Sequence, residues 1–293
     1  MKSICFFSSY FNGAKIPDYI RVYLLELSKY FSRIIFITND KEINEESLTF
    51  LTQNKIELFL VVNEGYDFGM WHKALAKYDV SGYDRLGLIN DSCILFGKLD
   101  TFFKWLDKEK PDYSGLTDSY QIEYHIQSYF LIINKETIPF VIDYFRQNGI
   151  IAELSEVIRV YEVGLSQYLV KMGKNLKAMY HFTKETDSNN NAIVWAMPLI
   201  KEGFPMVKKK IISREYKYKY WRSLVARGHD PFPEHYIKLI AKKINNPEIG
   251  KMFTEVRSKK GFLGEVSFTT ISLLAILSRI RRKQFYGINN YPR

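Results

Sequence analysis

Cysteine is nearly missing from this chain: two residues in 293, Cys5 and Cys93, each inside an apolar run. Such a pair offers no disulfide framework and reads as two buried thiols of a cytosolic protein. No Gly-x-Gly-x-x-Gly follows the first apolar run and no Walker lysine motif occurs, so dinucleotide oxidoreduction and P-loop hydrolysis lose their signatures. The five histidines are scattered, without a spacing that suits structural zinc, and no nucleophile elbow marks a serine hydrolase. Met1 leads straight into a strand-like run with no charged n-region, apolar h-region or cleavage site, which predicts no export. The apolar stretch Val266 to Ser278, about 13 residues, is too short to span a bilayer.

What is present is ordinary globular material, with 46% hydrophobic and 25% charged residues. Aromatic residues reach 16%, an excess that carbohydrate sites, membrane surfaces and plain cores all use. The net charge of +10 is unevenly placed: residues 206–293 hold 20 Lys and Arg against 6 Asp and Glu. A near-neutral body with a basic tail predicts a tail that meets an anionic surface.

Short apolar runs alternate with amphipathic stretches along the first two thirds of the chain. Strands are predicted at Ser3–Ser9, Arg33–Thr38, Ile56–Val62, Arg85–Ile89, Tyr113–Leu116, Ser128–Asn134 and Leu176–Tyr180. Helices are predicted at Pro17–Phe31, Glu45–Gln53, Phe68–Tyr78, Leu99–Lys108, Ile138–Asn148 and Glu153–Lys171. This alternation predicts an α/β fold with a mostly parallel sheet flanked by helices. The expected division is a domain over 1–205 and a basic, aromatic, helical region over 206–293, after a polar loop at Asp187–Asn191.

In a parallel sheet the polar residues at strand exits share one edge, where open α/β sheets place ligands. Ser8 and Tyr10 follow the first strand, Asp40 the second, and Asn90, Asp91 and Ser92 the fourth. Tyr10 offers a stacking ring and Asp40 an acceptor for base N–H groups. Asp67, Trp71 and Lys73 lie just upstream of the fourth strand and would add an acid, a ring for a donor sugar and a cation for a diphosphate. A divalent ion on Asp91, or Lys73, would neutralise that diphosphate.

Asn63-x-Gly65-Tyr66-Asp67-Phe68-Gly69-x-Trp71, followed by a strand ending in Asn90-Asp91-Ser92, resembles the rhamnan synthesis F family of bacterial glycosyltransferases. The similarity extends to His125–Phe130, Tyr161–Ser166 and Gly203–Lys208, and so spans about residues 1–215. The resemblance implies a GT-A-like (Rossmann-like) fold, a nucleotide-diphosphate sugar donor and synthesis of surface polysaccharide or lipopolysaccharide. The sugar named by the family is rhamnose. GT-A enzymes hold their metal with Asp-x-Asp at the end of strand four; here only Asp91 is acidic, enough for Mg²⁺ or Mn²⁺ with phosphates and water completing the shell. The same resemblance points to Glu162, then Asp118, as the catalytic base that takes the acceptor proton.

The expected partners are that donor, a lipid-linked glycan acceptor and an anionic membrane surface, with the chain peripheral at the inner face of the cell membrane. The basic aromatic run Lys217–Arg222 and the amphipathic stretch Val266–Lys283 carry the membrane expectation. Stacking on nucleic acid is the lesser use of such a run. The lone carboxylate at Asn90-Asp91-Ser92 keeps open a second class, a glycan- or membrane-binding scaffold that has the fold without the chemistry.

Overall fold

The computed structural model describes residues 1–39, 41–181, 191–212 and 240. The chain divides into two units, Met1–Lys208 and Lys209–Arg293. The first opens with β1 (Ser3–Ser9), α1 (Asp18–Leu27), β2 (Arg33–Asn39), α2 (Glu45–Gln53), β3 (Ile56–Val61), α3 (Tyr66–Lys77) and β4 (Arg85–Asn90). It continues with β5 (Cys93–Leu95), α4 (Asp100–Glu109), β6 (Tyr113–Ser119), β7 (His125–Ile126), β8 (Phe130–Asn134) and α5 (Ile138–Asn148). Then come α6 (Leu154–Val157), a π-helical turn over Ile158–Val163, α7 (Gly164–Lys171), β9 (Leu176–Tyr180), α8 (Asn191–Val194), α9 (Ala196–Lys201) and β10 (Met206–Lys208). In the second unit the short helix α10 (Lys209–Ile212) and residue 240 are described.

The main sheet runs β3-β2-β1-β4-β8-β6-β7, with β9 also on β6. Strands β3, β2, β1 and β4 are parallel, as are β6 and β9; β8 lies antiparallel between β4 and β6. Every residue of β1, β4 and β6 is buried, the signature of central strands covered on both faces. The outer strand β3 is buried only at its two ends, and Arg33 on β2 donates to Glu57 of β3 at 2.6 and 2.9 Å. The mostly parallel α/β fold expected from the alternation is the fold observed.

Local chemistry explains the boundaries. Pro17, which lacks an N–H to satisfy, precedes α1. The helix stops at Leu27, short of the predicted Phe31, because the N–H groups of Tyr30 and Phe31 both turn back to the Leu27 carbonyl, at 2.9 and 3.0 Å. Asn44 caps α2 by accepting from the Ser47 N–H at 3.0 Å. Both cysteines are buried free thiols, and burial pushes the Cys5 thiol up. Among the described residues no helix is long and apolar enough to cross a membrane. Lys217–Arg222 and Val266–Lys283 lie outside the described residues, as does Asp40.

Since β8 reverses direction between β4 and β6, β6 again runs parallel to β4. The carboxyl ends of β1, β2, β4, β6 and β9 therefore share one edge. The candidate strand-exit residues Ser8, Asn90 and Asp91 sit there.

Candidate functional site

Ser8 and Asn90 face each other across β1 and β4, and Asp67 joins them. The Ser8 hydroxyl donates to Oδ1 of Asp67 at 3.1 Å and the Asn90 amide donates to Oδ2 at 2.9 Å. One residue further along both strands a second carboxylate is held the same way. Oδ2 of Asp91 accepts from the hydroxyls of Ser9 and Tyr19, each at 2.9 Å. Asn90 also accepts the Ser92 N–H at 3.0 Å, which closes the turn leaving β4. Ser8 and Ser9 alternate across the sheet, so Asp67 of α3 is held on one face and Asp91, at the exit of β4, on the α1 face.

Asp67 reaches this position through the glycines around it. Gly65 is left-handed at φ 74°, and a Cβ there would come within 2.7 Å of the Ile150 side chain. Tyr66 follows at φ 57°, a conformation bulky residues avoid. A Cβ on Gly69 would fall 1.8 Å from the Glu64 carbonyl oxygen. The loop can fold back on the first turn of α3 only because that side chain is missing, and Asp67 in that turn faces the strand ends.

Glu162 arrives from the other side. It lies in the π-helical turn, a distortion that often marks functional sites. Its Oε1 accepts from the N–H and the hydroxyl of Ser128, at 3.3 and 3.0 Å, and Oε2 has no partner among the described residues. Ser128 precedes Tyr129, whose carbonyl accepts the Asn90 N–H at 3.2 Å. The neighbours of the two acids also meet, since Phe68 and Tyr161 stack with centroids 5.1 Å apart. Asp67, Asn90, Asp91 and Glu162 therefore belong to one locality.

Residues 34–255 match the family described as rhamnan synthesis protein F. The chain belongs to that family. Two curated proteins of Vibrio anguillarum, both described as virulence protein VirA, are 28% identical over 188 residues, 51% of this chain and 60% of theirs. The chain thus spans about 60% of the length of the curated relatives it matches. Among solved structures, 4-diphosphocytidyl-2C-methyl-D-erythritol synthase of Anaerococcus prevotii is 12% identical at TM-score 0.42, covering 68% of this chain and 96% of that one. The mannosyltransferase PcManGT of Pyrobaculum calidifontis, solved with GDP-Man and Mn²⁺, is 10% identical at TM-score 0.40, covering 97% and 81%. Neither structural likeness bears on the site.

Several expectations for this member of the rhamnan synthesis family need correction. Trp71 is fully buried, edge-on to Phe68 at 5.0 Å, so its ring offers no face to a sugar. It sits three residues after Phe68, on the inward face of α3. Lys73 is turned to the far end of the sheet: Nζ donates to the Val62 carbonyl at 2.8 Å and to Glu64 at 3.3 Å, beyond β3. Three strand spacings of about 4.8 Å separate β3 from β4, so Lys73 is remote from Asp91. Ser8, also fully buried, orients Asp67 and cannot touch a base or ribose. Asn90, 3% exposed, is likewise engaged with Asp67 and Ser92. Tyr10 is 53% exposed just past β1, free to meet a ligand ring.

Three contributors escaped the sequence reading. Tyr19 supports Asp91 from α1, where its spacing is that of a core residue. Lys208, within the Gly203–Lys208 motif, donates to the Ser92 hydroxyl at 3.1 Å and lies over the Tyr129 ring at 4.2 Å. His181 meets Asp118 with Nδ1 2.5 Å from Oδ2; Asp118 is buried while the imidazole is exposed. Asp118 is two strands from β4, roughly 10 Å along the same edge. His125 is buried with Nδ1 2.8 Å from the Glu123 carbonyl, a structural contact.

Proposed function

We propose that this chain is a glycosyltransferase that moves a sugar from a nucleotide-diphosphate donor to a hydroxyl of a growing, lipid-linked bacterial surface glycan. Rhamnose, from dTDP-rhamnose, is the sugar the family description points to. The observation that carries the reading is Asp91, held by the hydroxyls of Ser9 and Tyr19 at the exit of β4. An ordered carboxylate at the carboxyl edge of a parallel sheet suits a donor whose diphosphate arrives with a cation.

The acceptor oxygen attacks the anomeric carbon and forms the glycosidic bond. The bond from that carbon to the diphosphate oxygen breaks, and its electron pair leaves with the nucleoside diphosphate. The acceptor proton passes to Oε2 of Glu162, while Ser128 holds Oε1. Asp118, with His181 against it, lies further along the edge on the acceptor side. Tyr10 stacks on the base, and Asp40 is the proposed acceptor for its N–H groups.

Asp91 would hold a magnesium or manganese ion. Among the described residues no group of three or more His, Cys, Asp and Glu could hold a metal, but Mg²⁺ takes only one or two protein carboxylates when phosphates and water complete its shell. When bound, the ion supplies positive charge against the departing diphosphate. Residues 1–205, with the adjoining strand β10, would carry the chemistry, and the basic region that follows would contact the acceptor or an anionic membrane at the cytoplasmic face.

The lone acid of Asn90-Asp91-Ser92 favours one other reading, a glycan- or membrane-binding scaffold. Release of nucleoside diphosphate from a panel of nucleotide sugars separates the two. The transferase releases it from one donor, and a scaffold releases none from any.

A further inference from the structure

Lys208 stands beside the Asn90-Asp91-Ser92 turn, in no ion pair among the described residues. The antiparallel pair β5–β10 sets Lys208 opposite Cys93, one residue past Ser92, and Nζ donates to the Ser92 hydroxyl. The ammonium sits over the Tyr129 ring, and Tyr129 is the residue whose carbonyl anchors Asn90. The side chain is half-buried, and no ion pair engages it among the described residues, whereas Lys73 has Glu64. An ammonium has three donors, of which the Ser92 hydroxyl takes one. The remaining donors are open to a phosphate oxygen.

We propose that Lys208 is the diphosphate-binding cation of the donor site, a position the sequence offered to Lys73. The inference rests on the transferase reading above. Asp91 and Lys208 flank Ser92, so an ion on Asp91 and the ammonium bracket one turn and meet the diphosphate from two sides. A lysine is a compact point charge suited to phosphate oxygens, and it counts most as the leaving group gains charge. The Tyr129 ring holds the ammonium in place before the donor arrives.

The test compares binding of dTDP, UDP and GDP and their monophosphates to the full chain and to Lys208→Met, with Lys77→Met as control. Removing one charge-assisted hydrogen bond predicts about tenfold or more weaker diphosphate binding, with the matching monophosphate held within about twofold. Diphosphate binding by Lys208→Met within twofold of the unsubstituted chain overturns the inference and leaves the transferase reading standing. Failure of the unsubstituted chain to bind any nucleotide overturns both. A second measurement needs no variant: the cognate diphosphate shields Lys208 from reductive methylation while Lys73 labels equally with and without it. Unchanged labelling of Lys208 at saturation also overturns the inference.

Discussion

Phe68 stacks on Tyr161 with ring centroids 5.1 Å apart and planes 17° from parallel. Through that stacking the helix whose first turn carries Asp67 is fixed against the π-helical turn that carries Glu162. Truncating Phe68 to Ala should cost about 3–5 kcal/mol, as for buried aromatic rings in general. The milder Phe68→Leu should keep the fold and lower turnover more than donor affinity. Chemical denaturation and a kcat against KM comparison check both.

Gly69→Ala should destabilise the chain, because its methyl would fall 1.8 Å from the Glu64 carbonyl oxygen, a backbone atom that cannot step aside. The expected loss is about 1–3 kcal/mol, the usual range for a forced overpacking. Gly82→Ala, whose nearest neighbour is 3.9 Å away, should be close to neutral. Thermal melts of the two variants side by side give the answer.

Glu162→Gln keeps the Ser128 hydrogen bonds within reach but removes the proton acceptor. Transfer should fall about 10²–10⁴-fold while diphosphate binding stays within twofold. The same loss from Asp118→Asn, with Glu162→Gln unaffected, would move the base to the Asp118–His181 pair.

Burial pushes the Tyr161 hydroxyl up to about 12. The folded chain therefore keeps that proton after the unfolded chain has lost it near pH 10. Its contribution is complete below pH 10 and is lost as pH rises through about 12. Denaturant midpoints measured from pH 9 to 12 should fall, and Tyr161→Phe should fall less steeply.

The sequence made the fold legible where local pattern decides it. Glu45–Gln53, Ile138–Asn148 and Leu176–Tyr180 coincide with the elements observed. The short strands β5, β7 and β10 left no periodicity to read, being two or three residues that exist only through distant pairing. The site followed the same division. Asp67, Asp91 and Glu162 were singled out because a glycine-framed turn, a strand exit and a motif marked them, and their roles remain proposals. Trp71 and Lys73 were misread because spacing alone does not say which face of α3 turns inward. Lys208 was missed as a partner of Ser92 because 116 residues separate them and only the β5–β10 pair brings them together.

The central claim is that the carboxyl edge of this sheet binds a nucleotide-diphosphate donor. The most direct test is a thermal-shift panel of UDP, GDP and dTDP, with CMP as control, each with and without Mn²⁺. A ligand that binds the native state raises the melting temperature by mass action. The account predicts a rise selective for one diphosphate, enhanced by Mn²⁺ and lost in Asp91→Asn. No rise with any diphosphate at millimolar concentration would contradict it.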